Sequence, residues 1–314
     1  MIRSPWFGSL ARAAAILGFV CALLGVLVEL APGTPGDLVR DPETGILPAC
    51  VPAALDAPAA TDRWPAVALG AVPHPWARSW VSPGCPRVTD LLAAHAPVSL
   101  ALGALGLIVG VPLGALIGFF AAVVGGRVDR AASAAAAVVL STPPFVVALA
   151  ALALAYRHGL PTLGLCPDPL LPCTAADRLR HLAMPAAVLA LFTAAPVTRL
   201  TRAKAHSLLE GDLVRALRAR GLSERRVLLA HALPLSLGPA VQIAALQLPR
   251  LVSGSVLIES VFGLSGMGHL LAQKAAEQDL PVLVAGFSLV AALVVLSQHL
   301  SDALSARLDP RLAP

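Results

Sequence analysis

Charge is scarce in this chain. Only 13% of its 314 residues are Asp, Glu, Lys or Arg, while 57% are hydrophobic; a soluble domain carries about twice that charged share. This excludes the string of soluble domains that length alone would allow. Regular polar–apolar alternation is missing too, because the apolar runs are continuous, and that argues against a closed membrane barrel. No G-x-x-x-x-G-K-[ST] loop occurs, so the chain should not hydrolyse ATP itself. Metal-ligand spacing is absent as well. The C-x6-C of Cys166 and Cys173 sits in a proline-rich loop and makes a poor zinc signature, and no Met/His/Cys ladder lines the apolar runs. No internal repeat or low-complexity array appears.

What is present is a series of apolar runs long enough to cross a bilayer, which takes about 20 residues. They are Leu10–Leu30, Pro97–Val124, Ala131–Tyr156, Leu182–Val197, Leu235–Val261 and Leu280–Leu300. The expectation is an all-α membrane protein with six transmembrane helices and both termini cytoplasmic. Residues 1–30 form the N-terminus and first helix, 31–96 an extracytoplasmic loop region with a short helix near Asp90–His95, and 97–314 a five-helix core. The first run reads as an uncleaved anchor, since no convincing small-x-small cleavage site follows Leu30; a cleaved signal peptide is the alternative.

The net charge of +5 has a sidedness that fits this topology. Arg3, Arg12, Arg127, Arg130, Arg307 and Arg311 fall inside, as does a cluster of eight of the 23 Lys and Arg between Arg199 and Arg226. Membrane topology therefore explains the positive charge, and no nucleic-acid partner is expected. Cys50, Cys85, Cys166 and Cys173 all fall outside, where an oxidising exterior permits disulfides. The simplest pairing is 50–85 with 166–173; four free thiols are the alternative.

Three features inside the runs stand out. Gly106, Gly110, Gly114 and Gly118 recur every fourth residue, giving one smooth helix face roughly 18 Å long for close packing in lipid. Ser141-Thr-Pro-Pro-Phe145 must interrupt the third run, where Ser141 or Thr142 can satisfy the freed carbonyls around Pro143 and Pro144; the break marks a transport pathway or a plain kink. Arg250 lies at membrane depth. It either faces a pathway and an anionic cargo group, or pairs with a partner's acid, or snorkels.

The most polar segment is RALRARGLSERRVLLAHALP, Arg215 to Pro234. It reads as two short helices, Leu213–Arg220 and Ser223–Leu233, joined at Gly221, within an inner segment spanning about 199–233. Such a hairpin either lies on anionic headgroups or docks into a soluble partner.

The stretch EGDLVRALRARGLSERRVLLAHALPLSLGP (Glu210–Pro239) resembles the cytoplasmic coupling loop of ABC-importer permeases, closest to the dipeptide/oligopeptide/nickel branch. LAPGTPGDL, GVPLGALIG, STPPF, ESVFGLSGMGHLL and LSARLDPR resemble further pieces of that family in the same order. The resemblance implies a permease subunit in a prokaryotic cytoplasmic membrane, paired with a second homologous permease and two cytoplasmic ATPases. An extracytoplasmic substrate-binding protein would deliver di- or oligopeptides, or nickel as second choice. ATP and Mg would be bound by the ATPases, with no cofactor in this chain. The matching positions Glu210, Asp212, Val214, Arg215, Arg218, Gly221, Leu222 and Ser223 would couple to the ATPase. Departures are HPWARSW (His74–Trp80) in the outer loop, Gly211 and Pro234 in the coupling region, and Arg250 where small residues are usual.

Two other classes compete. Gly263-Leu-Ser-Gly266 fits the GxSG pattern of an intramembrane serine protease. Its Ser265, however, lies outside in this topology, while His299 is about 28 Å deeper, far beyond the roughly 3 Å that a serine–base pair needs. The third class is a membrane scaffold without transport.

Overall fold

The computed structural model describes residues 78–166, 173–246 and 256–308, with Gly18, Phe19 and Ala22 of the first run. Among these residues every regular element is a helix; a single bridge between Arg78 and Arg87 is the one extended pairing. In chain order the helices are α1 (Val88–Val124), α2 (Gly126–Ser141), α3 (Pro144–Arg157), α4 (Ala175–Leu209), α5 (Asp212–Ala219), α6 (224–236), α7 (Gly238–Leu246), α8 (Val256–Val261), α9 (Met267–Ala276) and α10 (Leu280–Leu308). The chain divides into two compact units, residues 1–99 with 265–296 and residues 100–264 with 297–314.

The first unit is organised around one buried carboxylate. Asp279 is fully buried and accepts hydrogen bonds from the Ser79 hydroxyl and the Trp80 amide, the latter at 3.1 Å. Ser79 accepts in turn from the Ser82 amide at 2.9 Å, and Arg78 donates to the Cys85 carbonyl at 2.8 Å. Residues 78–85 are thus held through backbone and buried polar bonds. Val88, Leu270 and Val282 form a small apolar core beside it.

α1 begins nine residues before the expected Pro97 and takes in the stretch where a separate short helix was expected near Asp90–His95. A proline removes one amide donor and strains a turn, but it does not end a helix whose neighbours hold it. α4 likewise contains Pro185 and Pro196 and runs 35 residues, well past the expected Leu182–Val197. Its start is fixed by a capping box, Thr174 and Asp177 each bonding the other's backbone amide. Hydropathy marks where lipid begins and ends; caps mark where helices do.

In the second unit the glycine stripe of α1 lies against α4. A Cβ added at Gly110 would sit 2.6 Å from the Ala190 carbonyl oxygen, one at Gly114 2.5 Å from that of Ala194, and one at Gly118 2.5 Å from that of Thr198. Only glycine lets the backbones approach this closely, and the Thr198 hydroxyl donates across the seam to the Gly114 carbonyl at 3.2 Å. Because the offset stays constant along the seam, α1 and α4 run in the same direction. Among the described residues, the apolar helices between them are α2 and α3. These are long and apolar enough to cross only as a pair, and they are bent by 102° at Thr142–Pro143, as in a broken span or a re-entrant loop.

By length and composition α1, α4 and Leu280–Leu300 of α10 can also cross. The fifth expected run is not one continuous helix among the described residues: it holds the end of α6, α7 and α8, and 247–255 lie outside them. The first run, apart from the three residues named above, lies outside them too.

Candidate coupling surface

α4 ends at Glu210, and Gly211 turns the chain straight into α5. The helix is amphipathic by construction. Val214 is fully buried and seats it, Arg215 and Asp212 point to solvent, and Leu213 is 48% exposed. At its far end Gly221 takes φ +78° with open space around it. Conformation, not room, therefore demands glycine there. Leu222 and Ser223 follow, and α6 leaves in a new direction, seated by a fully buried Val227. Ser223 occupies the backbone position of an N-cap, but its hydroxyl makes no capping bond.

The two limbs are tied across Gly221 by a fork. Arg218 donates from Nε to Glu224 Oε2 at 3.0 Å and from Nη2 to Oε1 at 2.6 Å. The Arg218 guanidinium holds the Glu224 carboxyl below its ordinary value. Such a pair is exposed and contributes little to stability, but its planar geometry sets the angle between the limbs. A hollow of about 340 Å³ opens beside it, lined by Ser223, Arg225, Arg226, Leu229 and Ala230. Two guanidinium groups over an apolar floor suit an acidic residue flanked by apolar ones.

α6 is not a uniform helix. Its first turn, Glu224–Arg226, widens into a π-helical stretch, Val227–Ala232, before the last turn, Leu233–Ser236. Pro234, which departs from the family pattern, supplies the cause. It has no amide for the Ala230 carbonyl, and its ring crowds that carbonyl, so the preceding turn opens.

The C-terminal end of α4 carries a second charged cluster. Asp129, in the first turn of α2, accepts a two-pronged bond from Arg202 and lies 3.2 Å from His206 Nε2. Asp129 was not singled out from sequence, because its partners lie 73 and 77 residues away. A lone acid between Arg127 and Arg130 in an otherwise basic inner turn was the available signal.

The other sequence candidates fall elsewhere. Ser141, Pro143 and Pro144 line the break between α2 and α3 and are exposed in the single chain, while Thr142 donates its hydroxyl to the Val138 carbonyl at 2.8 Å, closing the end of α2. Arg250 and Cys50 lie outside the described residues. Cys166 and Cys173 are disulfide-bonded to each other with Cα atoms 5.6 Å apart. Cys85 is disulfide-bonded as well, its partner outside the described residues. Gly164 donates its amide to the Phe262 carbonyl at 3.0 Å, joining the foot of the 166–173 loop to the turn before Gly263.

The family described as binding-protein-dependent transport system inner membrane component matches residues 110–314. The oligopeptide transport system permease protein OppB of Mycobacterium bovis is 36% identical over 227 residues, covering 68% of this chain and 70% of that one. A Brucella suis protein with a provisional peptide permease name is 31% identical over 310 residues, 94% of this chain and 95% of its own. The oligopeptide transport system permease protein AppB of Bacillus subtilis is 40% identical over 136 residues, a match that spans 43% of each chain.

Proposed function

Since this chain belongs to the family of binding-protein-dependent transport system inner membrane components, we propose that it moves di- or oligopeptides across the prokaryotic inner membrane by alternating access, driven by ATP hydrolysed on other subunits. As a permease subunit it performs no covalent chemistry. The working assembly is this chain, a second homologous permease, two cytoplasmic ATPases that bind ATP and Mg, and an extracytoplasmic binding protein. Six spans with both termini inside complete the reading.

The observation that carries it is the hairpin at Gly221. α5 and α6 are each anchored by one buried valine and held at a fixed angle by the Arg218–Glu224 fork, and both turn cationic and apolar groups outward. A soluble partner could push on such an element as a unit. α4 would carry that push into the membrane, and the break at Thr142–Pro143 gives a span that can change shape, as interrupted helices do at transport pathways.

The test is a mild-detergent purification of the chain from its native membranes, with co-purifying proteins identified by mass spectrometry. Gly221→Pro cannot adopt φ +78°. Wild type should bring down a second permease and a P-loop ATPase, and the variant should lose the ATPase by tenfold or more. Uptake of radiolabelled trialanine into proteoliposomes of the complex, compared with free alanine and Ni2+, then reads cargo class. A wild-type chain that purifies alone, or only with itself, would refute the importer reading.

A further inference from the structure

We propose that Asp129 is a positioning residue for transport, the joint through which motion of the coupling hairpin reaches the broken span; this rests on the importer reading above. The two sides of the joint are held very differently. On α4, Arg202 is fixed through its backbone: a Cβ at Gly118 would stand 3.0 Å from the Arg202 amide nitrogen, within the glycine seam. Thirteen residues of α4 are buried. The cationic fork is therefore set in the firmest part of the unit. α2 packs along α4, the neighbour it touches most, but only Ala136 is fully buried, so few of its side chains are locked into the core.

What α2 has instead is Asp129. Its side chain is 13% exposed, and Arg202 and His206 converge on it from α4 at 30% and 35% exposure. Two parallel guanidinium bonds fix direction as well as distance, and the carboxylate sits in the first helical turn, where the helix dipole also favours it. Position does the rest. Arg202 and His206 lie in the last two turns of α4, immediately before Glu210 and α5. Twelve residues beyond Asp129, roughly 18 Å along a rigid helix, is Ser141 at the break. A displacement of the hairpin thus pulls α2 at its inner end, and the break converts that pull into a change of angle between α2 and α3.

The experiment uses the complete transporter in proteoliposomes. Spin labels replace Lys204 on α4 and Leu154 on α3, both exposed, with free thiols replaced by serine. The readout is the change in label separation between the nucleotide-free and ATP–vanadate-trapped states, measured beside the ATPase rate and the yield of assembled complex. Asp129→Asn and Arg202→Gln should each lose more than half of the wild-type change while assembly and ATP hydrolysis continue, and the double variant should lose no more than either single one. Arg202→Lys keeps the charge without the fork and should retain an intermediate change, which guards against variants that fail to fold.

A wild-type distance change in the assembled Asp129→Asn and Arg202→Gln complexes would overturn the joint alone. So would losses of distance change, ATPase rate and yield in the same proportion, which is what a purely structural pair produces. Absence of any ATPase from the wild-type assembly would overturn the importer reading and the joint with it.

Discussion

α2 and α4 are neighbours, yet they are held by opposite means. α4 lies in a seam where backbones touch through Gly110, Gly114 and Gly118, and its grip is spread over thirteen buried residues. α2 also packs along α4 but fully buries a single alanine, and the Asp129–Arg202 pair ties its first turn to α4. In lipid there is little hydrophobic drive between helices, so contact geometry decides which can move. A glycine seam has no alternative arrangement within reach. A helix that fully buries one side chain and is tied by one charged pair does, and such an element can act as a switch beside a fixed frame.

The comparison can be broken most sharply by adding the same side chain to both helices. Gly114→Leu would drive a Cβ to 2.5 Å from the Ala194 carbonyl oxygen, and overpacking of this kind costs about 3 kcal/mol or more when neither backbone can retreat. Thermal unfolding of the purified subunit should fall steeply, or the protein should fail to accumulate. Ala135→Leu on the exposed side of α2 should stay within about 0.5 kcal/mol of wild type. Equal losses for the two would erase the distinction.

A smaller effect tests the closure of the last turn of α2. Thr142→Val keeps the shape but removes the bond to the Val138 carbonyl, worth about 1 kcal/mol. Hydrogen exchange should quicken in the last turn of α2 and remain unchanged in α4. Protection that is lost equally in both helices would mean that they open as one body.

The smallest effect belongs to the hairpin. Glu224 is lowered from its ordinary value by Arg218. A depressed carboxyl contributes stability that is present above its unfolded pKa and lost as pH falls through its folded one. Local protection of α5 should therefore decline on acidification through the carboxylate range in wild type. Glu224→Gln should begin at the lower level and show no such decline. Parallel pH profiles would show that the fork does not hold the limbs together.

Much of this was readable before any coordinates. The fourth-residue glycines announced their face because helical period and lipid packing both act locally, and Pro143-Pro144 could do nothing but interrupt a ladder. Gly221 was legible for the same reason. What escaped depended on distant partners. Asp129 is one acid among arginines until α4 brings Arg202 to it. The extension of α4 to Leu209 passes through Arg199, Arg202 and Lys204, residues that a hydropathy reading assigns to water. The π-helical stretch at Val227–Ala232 is a response to Pro234 by the helix around it. Arg250, the most conspicuous charge in the apolar runs, lies outside the described residues and keeps only its sequence-based reading.

The seam between α1 and α4 also fixes something that no single substitution reveals. One residue inserted between Gly106 and Gly118 would rotate every later glycine by about 100° around the helix and set side chains where the Ala190, Ala194 and Thr198 carbonyls now lie. The length of that stretch is therefore closed to insertion and deletion, whatever happens to its composition. Descendants of this chain can lengthen their loops as cargo changes, but they inherit the spacing of these four glycines as a fixed ruler.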